Sequence, residues 1–535
     1  MKKMKKILAI LLTAVLVASM AACGGGGETE TQVSQAVGAD TAIADAETAD
    51  EGIVDMELYI DFTWFSYDWV GAIPETLSEN GGVKFNVTHS VKDEQLGTWI
   101  ASGDLPEIIW TANEIDRLCS SDLCYSYDEL IEKYNIDWEP SSDRIAIARS
   151  HNVDETDPHY YTIIQNYNTN DEWHEADGVV PQIGSFDYRK DIWEEIGSPS
   201  MNTIDEIHDV LLTVHEKYPE MDVINAASPT WRFGGFYAWF GCSNDFLYAE
   251  DGTTVQYRDT TPQFYELVKF INQLYREGLF TEENVSITQE DGQAGAKAYA
   301  GENFLYDTNL RPTHLESHNN ELKAQLGEDA EFACLSIPDD SKEIVRANAG
   351  WSGVFITKNC KDPEAAIRMI AYLNSEEGRR LALWGREGTD YTLSEEGVPQ
   401  FSEAWKEARQ DSEQFHLDYN NEFYMCTTEL DEAYTYYAGQ PSDVLETYTK
   451  NADKIVNYPE LGIALPTSTS DMGVIRAEIE NARSNNIAKL YLAASDEEFE
   501  EAYANYMEIL KQCGVEELNA YMTEKVAQVK EEFGF

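Results

Sequence analysis

Alternating apolar and polar positions predict three strands early in the chain, at residues 54–60, 82–88 and 105–110. Residues 91–101 between the last two have helical periodicity, and the Ser-x-x-Glu spacing at 126–129 is typical of a capping box that opens a helix. Strands that alternate with helices usually pair in parallel, because the helix provides the crossover between them. The pattern therefore predicts an α/β domain.

The middle and end of the chain add helices. A capping box opens an amphipathic helix over 203–218, and 265–276 is helical up to Gly278, which stands at the expected C-terminal position. Asp362 is expected to cap a long helix over 362–382, and residues 470–535 are helical almost throughout. No repeat of solenoid length occurs. These signals predict a further α/β part and a helical C-terminal part.

The N-terminus has the layout of an export signal. A basic stretch over 1–6 is followed by an apolar stretch over 7–17 that is too short to span a bilayer comfortably. Residues 20–23 read MAAC and resemble the bacterial lipobox, in which small residues precede a cysteine that is lipidated. We predict a lipoprotein signal peptide over 1–22 and lipidation at Cys23. The alternative is an ordinary signal peptide with a chance cysteine.

Residues 23–52 are predicted to be a disordered tether. After four glycines at 24–27 the segment is rich in Glu, Thr, Ala, Asp, Gln and Ser and has no aromatic residue, so it cannot bury enough apolar surface to offset the entropy of ordering. No later segment approaches the ~18 consecutive apolar residues of a membrane-spanning helix. The predicted location is the extracellular face of the cell membrane, with attachment through the lipid on Cys23.

Composition limits the classes of function. The rest of the 535-residue chain is too long for one compact core, and its 12% aromatic content can fill a large one. The formal charge of −60, from 98 acidic and 38 basic residues, argues against nucleic acid and anionic membrane surfaces as partners. We interpret the acidity as a solvated exterior.

The cysteines predict neither a disulfide framework nor a metal site. Apart from Cys23 there are seven, scattered along the chain, and no C-x-x-C pair occurs. Cys119 and Cys124 could form a disulfide or could be isolated buried thiols. We predict no cofactor and no metal.

Four segments carry a family resemblance. Residues 93–109 contain ASGDLPEII, 185–197 contain SFDYRKDIW, 362–378 begin with DPEAAIR, and 384–393 are WGREGTDYTL. In sequence and in order they resemble the carbohydrate-type (family 1) extracellular solute-binding proteins of ABC importers, which are lipoproteins in Gram-positive bacteria. Each match is short, but the four keep the order of the family.

The resemblance implies a two-lobed periplasmic-binding-protein-like fold of type II, with a hinge and a helical C-terminal part. Mapped by order, the first lobe comprises 53–182 plus 298–352 and the second comprises 183–297 plus 353–535. It also implies a monomer that binds its ligand between the lobes and delivers it to ABC permease subunits in the membrane.

A sugar site needs flat aromatic rings beside side chains that both donate and accept hydrogen bonds. Three clusters and two single positions have this mixture, and they supply the predicted ligand-binding residues: Trp64, Tyr67, Trp69, Trp231, Tyr237, Trp239, Trp351, Trp384, Arg386, Glu387, Tyr391 and Arg311. For each aromatic residue the alternative is packing in the core. For Arg311 the alternatives are a bidentate contact to an acidic sugar and, as we favour, a structural ion pair.

The function predicted from these features is capture of a carbohydrate, an oligosaccharide, by a binding protein without catalytic residues. One alternative is a secreted hydrolase that uses paired carboxylates, which 98 acidic residues leave open. The others are a binder of peptide or another small solute, and a partner of a sensor. Signatures of serine hydrolases and ATPases are missing, and HLESH at 314–318 misplaces the glutamate of a zinc hydrolase.

Overall fold

The computed structural model describes most of the chain after the tether. The described residues are 52–91, 95–154, 156–176, 179–225, 234–286, 293–309, 311–394, 397–467 and 470–533. The predicted signal peptide, Cys23, nearly all of the tether and Trp231 lie outside them.

Fourteen strands occur in these ranges. They are β1 (Val54–Ile60), β2 (Val83–His89), β3 (Ile108–Thr111), β4 (Gly184–Arg189), β5 (Asp222–Asn225), β6 (Phe246–Tyr248), β7 (Val255–Tyr257), β8 (Asn303–Asn309), β9 (Phe332–Cys334), β10 (Ile344–Arg346), β11 (Gly353–Ile356), β12 (Tyr391–Leu393), β13 (Pro399–Phe401) and β14 (Ile455–Asn457).

The same ranges contain 23 α-helices and two 3₁₀ turns, at Arg258–Thr260 and Ala452–Lys454. The helices are α1 (Ala72–Gly81), α2 (Gln95–Ser102), α3 (Ile115–Leu118), α4 (Tyr127–Tyr134), α5 (Ser142–Arg149), α6 (Asn170–Glu175), α7 (Lys190–Glu195), α8 (Ile204–Lys217), α9 (Gly234–Trp239), α10 (Pro262–Arg276), α11 (Glu282–Ser286), α12 (Gln293–Tyr299), α13 (Pro312–Leu326), α14 (Pro363–Asn374), α15 (Glu376–Trp384), α16 (Glu403–Ala408), α17 (Ser412–Asp418), α18 (Glu429–Tyr437), α19 (Ser442–Thr449), α20 (Pro459–Ile463), α21 (Asp471–Tyr491), α22 (Asp496–Gln512) and α23 (Val515–Phe533).

The first of two four-stranded sheets has the order β11-β3-β1-β2 and defines the first lobe. β1 runs parallel to both β2 and β3, as the alternating pattern predicted, and β11 pairs antiparallel with β3. All four residues of β3 are buried, which suits a strand covered on both faces. Helices α1 and α14 pack against this sheet.

The second sheet has the order β5-β8-β4-β9 and defines the second lobe. β8 pairs parallel with β5 and antiparallel with β4, where Asp307 lies opposite Phe186. Three strands differ from the predicted lobe boundaries, since β8 and β9 were expected in the first lobe and β11 in the second. The chain returns to the first lobe after β10 rather than before β8. Short strands give no local sign of the sheet they join, because pairing depends on residues far away in the sequence.

Several predicted helix starts are confirmed. The Thr203 hydroxyl accepts a hydrogen bond from the backbone N–H of Glu206, and the Asp362 carboxylate accepts one from Ala365. The predicted single helix over 362–382 is in fact two, α14 and α15. The chain breaks at Ser375, whose hydroxyl accepts from the N–H of Gly378 and so caps the second helix.

Amide side chains tie together the three segments that cross between the lobes. Asn348 donates to the carbonyl of Asn166 at 2.9 Å, and the backbone N–H of Asn348 donates to Oδ1 of Asn457 at 2.8 Å. Asn457 lies on β14, which pairs with β10. Hydrogen bonds to backbone groups thus hold the crossings in register.

The helical C-terminal part packs on the second lobe. α21 contacts α10, and α23 lies along β7, where Oδ1 of Asn519 accepts a hydrogen bond from the backbone N–H of Tyr257 at 2.7 Å. Beneath α21 and α22, Asp259 is fully buried between the guanidinium groups of Arg258 and Arg483, at 2.9 and 3.2 Å. The predicted helical end of the chain is therefore integral to this lobe.

All seven cysteines of the described residues are free thiols, and Cys119 and Cys124 form no disulfide. Burial raises the pKa of both thiols.

In the described ranges, no helix combines the length and the apolar character that a membrane crossing requires.

Candidate functional site

Aromatic side chains gather at one edge of the first sheet. Phe62 and Trp64 follow the carboxyl end of β1, and Trp351 precedes β11. Because β11 is antiparallel to its neighbour, its start lies at the same edge as the ends of β1 and β3. Ligands of open α/β sheets bind at this edge.

Three rings form a stacked surface at this edge, which we call the aromatic platform: Trp64, Phe62 and Trp351. Phe62 is buried and stacks against Trp351 with ring centroids 4.8 Å apart and against Trp64 at 5.3 Å. The outer rings stay open, with Trp64 55% and Trp351 36% exposed. Large aromatic surface is costly to leave in water, so an exposed stack indicates a binding surface.

The backbone at Gly350 fixes the outer ring. Its φ is +98°, and a Cβ at this position would lie 2.3 Å from a methyl group of Ile164. Only glycine fits this turn. The N–H of Trp351 then donates to the carbonyl of Gln165 at 3.0 Å, which places the indole beside Phe62.

A buried carboxylate supports the platform from below. Asp61 accepts hydrogen bonds from the hydroxyls of Tyr59 and Thr111, both at 2.9 Å, and from Nδ2 of Asn113 at 3.2 Å. These bonds connect the ends of β1 and β3 directly below the loop that carries Phe62 and Trp64. They fix the start of this loop to both strands.

A polar pocket lies between the crossing segments and α18, with room for about 30 Å³, enough for a water molecule. Its lining residues are Asn166, Val180, Gln182, Arg311, Glu429, Glu432, Ala433, Tyr436 and Tyr437.

Arg311 is the cation of this pocket. Its guanidinium lies over the ring of Tyr436, 4.0 Å from the centroid, and donates to Oε1 of Gln182. Its other hydrogen-bonding contact is His314, and its buried Nε has no partner. Among the described residues Arg311 makes no ion pair, so the structural ion pair that we favoured is not formed there. The guanidinium retains donors for another molecule.

Glu432 is the acid of the same pocket. Its carboxylate accepts a hydrogen bond from the Tyr436 hydroxyl at 3.0 Å. Burial raises the pKa of Glu432 to about 7, although the positive charge of Arg311 acts in the opposite direction. A carboxyl group with this pKa can accept or donate a hydrogen bond near neutral pH.

A chain of rings joins the pocket to the platform. The ring of Trp110 contacts Phe62 at 5.2 Å on one side and Tyr424 at 5.4 Å on the other. The pKa of Tyr424 is raised by burial and by the negative charge of Glu432, while Arg311 lowers it. Tyr424 therefore lies in the field of both charged groups. The platform and the pocket are thus connected through buried rings, and both are candidates for contact with a ligand.

Glu432→Gln tests this environment. A carboxyl whose pKa rises from 4.5 to about 7 on folding keeps its proton longer in the folded state, so this group costs the wild-type protein stability as the pH rises through that interval. We expect the free energy of unfolding of the variant, relative to that of the wild type, to increase by on the order of 1–3 kcal/mol from pH 5 to pH 8. Urea unfolding at both pH values measures it, with Glu387→Gln at an exposed position as control. If the difference in free energy of unfolding between variant and wild type were the same at pH 5 and pH 8, the environment described for Glu432 would be wrong.

Four of the predicted ligand residues belong to this region: Trp64, Trp351, Tyr67 and Arg311. Trp64 and Trp351 form the platform, and Arg311 lies in the pocket. Tyr67 is partly buried and stacks on His416 at 4.2 Å. Trp231 lies outside the described residues.

Three predicted residues are core residues instead. Trp69 is buried against Phe85 and Phe423, and its Nε1 donates to Ser78. Trp239 is buried against Phe186, and the Tyr237 hydroxyl lies 2.8 Å from that of Tyr491. Ring density alone did not distinguish these positions from open ones, because a large core also collects aromatic residues.

The WGREGTDYTL segment is a structural turn away from the platform. Trp384 is buried, with Nε1 bonded to Thr435, and Tyr391 is buried beside it. Asp390 binds the guanidinium of Arg386 through both carboxylate oxygens, at 2.8 and 3.0 Å. Of these four predicted ligand residues only Glu387 is largely exposed, and none joins the aromatic platform.

Residues that the sequence did not indicate complete the site, namely Phe62, Gln182, Tyr424, Glu432 and Tyr436. Four of them are polar and come from segments distant in sequence. The Thr-x-x-Asp spacing at 428–431 would have predicted the start of α18, where a capping box is present. It would not have shown which face of α18 turns toward Arg311.

Within the described residues no three His, Cys, Asp or Glu side chains are grouped as metal ligands. His318 instead donates to or accepts from the buried Asp187 at 2.7 Å.

No protein-family model matches the sequence, and no curated protein matches it. Solved structures do match. The chain is 16% identical to an ABC-transporter substrate-binding protein, FusA, of Streptococcus pneumoniae in complex with kestose (TM-score 0.64; 90% of this chain and 100% of the other). It is 14% identical to the alginate-binding protein AlgQ2 (TM-score 0.62; 90% of this chain and 100% of the other). It is 15% identical to an N-glycan transport solute-binding protein, NgtS, of Streptococcus pneumoniae (TM-score 0.59; 89% of this chain and 99% of the other). The predicted two-lobed fold is thereby confirmed.

Proposed function

We propose that this chain is the substrate-binding lipoprotein of an ABC importer and that it captures an oligosaccharide between the aromatic platform and the pocket of Arg311 and Glu432. The observation that carries this proposal is the exposed stack of Trp64 and Trp351 at the carboxyl edge of the first sheet. Arg311 and Glu432 provide a hydrogen-bond donor and an acceptor in the nearby polar pocket. The apolar face of a sugar ring fits an indole, and its hydroxyls fit a guanidinium and a carboxyl group.

The structural neighbours support the carbohydrate class. One is in complex with kestose, one is an alginate-binding protein and one is an N-glycan transport protein. These are all saccharides, but they differ in charge and linkage, so the shared fold does not select among them.

Capture would proceed by closure of the two lobes. A ligand that contacts the platform on the first lobe and Arg311, which follows β8 of the second, binds the closed form more tightly than the open form. It shifts the equilibrium by that difference in affinity. The crossings held by Asn166, Asn348 and Asn457 are the segments about which the lobes would rotate.

The predicted export signal supports a location outside the cell. We propose that Cys23 carries a lipid on the outer face of the cell membrane and that the polar tether up to residue 52 keeps the binding lobes close to a permease. Labelling with a radioactive fatty acid tests the anchor. The wild-type chain should incorporate the label and remain with the membrane fraction, whereas Cys23→Ala should do neither.

We propose that the chain binds glycans without hydrolysing them. The two acids that line the pocket stand three residues apart on α18, and Glu429 is engaged by Arg346 at 2.5 Å and Asn348 at 2.7 Å. Of these two acids, Glu432 alone has no cationic partner within ion-pair distance among the described residues. A glycosidase requires two available carboxyl groups on opposite sides of the scissile bond.

A binding and turnover assay tests the proposal. Purified protein is incubated with kestose, alginate oligosaccharides and N-glycan oligosaccharides while thermal unfolding is followed, and the products are separated by chromatography. We expect at least one saccharide to raise the unfolding temperature and to be recovered intact, since a ligand at 100 times its Kd stabilises by about 2.7 kcal/mol. Cleavage of a glycan without thermal stabilisation by any saccharide would favour the hydrolase.

A further inference from the structure

A larger cavity lies on the other side of α18, in the first lobe. It holds about 350 Å³, within the range of ~300–1,000 Å³ that is typical of small-molecule sites. It shares no lining residue with the pocket of Arg311. Asp431 and Tyr434 of α18 line this cavity, whereas Glu429 and Glu432 line the pocket, so the helix separates two distinct spaces.

Six of the seven charged residues that line this cavity form ion pairs, and the seventh, Glu139, is exposed to solvent. Arg379 pairs with Asp431 at 2.7 Å and Arg380 pairs with Glu376 at 2.5 Å. The third pair, between Arg144 and Glu172, is looser at 3.9 Å. The charge of the exposed Glu139 is screened by solvent, and an ion that binds among the three pairs would have to break one of them. The cavity therefore favours an uncharged ligand.

The same groups leave hydrogen-bonding capacity toward the cavity. A guanidinium has five N–H donors, and a carboxylate has about four acceptor positions, so one ion pair uses only part of each. The partly exposed indole of Trp138 adds flat apolar surface to the wall, while Trp384 is buried behind the Arg380 guanidinium, which lies 5.3 Å above its ring. Donors, acceptors and flat apolar surface in one small space fit a polyhydroxylated ring.

We propose that this cavity is a second binding site, distinct from the platform, and that it takes an uncharged polyol of monosaccharide size. The proposal rests on the cavity itself and does not depend on which oligosaccharide the platform binds. Its occupant would contact α18 and the crossing segment at Ile163 and Asn168.

A side chain that fills the cavity tests the proposal. Ser141 lines the cavity, is exposed, and makes no capping hydrogen bond with its side chain, so Ser141→Trp should fold and occupy the space. Ser142→Trp is the matched control, since Ser142 is equally exposed and does not line the cavity. Glu139→Trp blocks from a second exposed lining position.

The measurement is saturation-transfer NMR with D-glucose, D-galactose and myo-inositol at millimolar concentration. At least one probe should give a signal with the wild type and with Ser142→Trp, and the signal should fall at least about fivefold in both blocking variants. It should persist in the double variant Trp64→Ala, Trp351→Ala, which separates this site from the platform.

Three results would overturn the proposal. They are the lack of a signal from every probe with the wild type, an equal signal with both blocking variants, and loss of the signal in the platform variant. Inorganic phosphate serves as the charged probe, and displacement of the sugars by phosphate would overturn the uncharged ligand class.

Discussion

Replacing Trp351 with alanine is expected to weaken binding of the captured oligosaccharide by about 30-fold. The indole stacks on Phe62 at 4.8 Å and exposes its other surface, so its truncation removes the flat contact for a sugar ring. Loss of a central aromatic anchor costs about 2 kcal/mol or more, and 1.4 kcal/mol corresponds to a factor of ten in Kd. Titration calorimetry with the saccharide that gives the largest thermal shift measures the change.

Trp64→Ala should have a similar effect, since Trp64 also stacks on Phe62, lies 6.3 Å from Trp351 between ring centroids and is 55% exposed. Leu212→Ala is the control, because Leu212 is a partly exposed apolar residue on α8 of the second lobe. Unchanged affinity in both tryptophan variants would remove the platform from the ligand site while leaving the fold assignment intact.

Replacing Asp259 with alanine is expected to destabilise the protein by about 3–5 kcal/mol, because breaking a buried ion pair leaves an uncompensated charge in the interior. Asp259 is fully buried and contacts the guanidinium groups of Arg258 and Arg483, which are themselves 6% exposed. It also accepts a hydrogen bond from the Tyr506 hydroxyl at 2.7 Å. Equilibrium unfolding in urea measures the loss.

The surface pair of Asp496 and Arg276 provides the control for this experiment. Asp496 is 81% exposed, so Asp496→Ala should cost about 1 kcal/mol or less. The two variants remove the same side chain from opposite environments. If Asp259→Ala were as mild as the control, the buried network would not be what holds α21 and α22 on the second lobe.

Strands and helix starts were predicted well where the pattern involves only neighbouring residues. The alternation over 54–60 and 82–88 predicted β1 and β2, and the hydroxyl of Thr203 and the carboxylate of Asp362 predicted helix starts, because these signals need only a few neighbouring residues. The length of a helix was predicted less accurately where a single residue ends one helix and begins the next. Ser375 divides the expected helix over 362–382, since it caps a new helix instead of continuing the first.

The ligand site was only partly predictable. Trp64 and Trp351 were both expected at the site, yet they stand 287 positions apart, and only the antiparallel placement of β11 stacks them on Phe62. Trp69 has the same local character as Trp64 and is buried against Phe85. Sequence shows which residues can form a sugar site, but exposure depends on what other segments cover.

The sequence by itself determined the chemical character of this protein: an acidic exterior, α/β elements with a helical end, and aromatic residues in excess beside a predicted export signal. The tertiary structure alone decided that β8 belongs to the second sheet and β11 to the first, that Trp384 is buried, and that α18 turns Glu432 toward Arg311. The reason is physical. Composition and periodicity act through near neighbours, whereas strand pairing, burial and the meeting of charges depend on contacts between residues that are far apart in the chain.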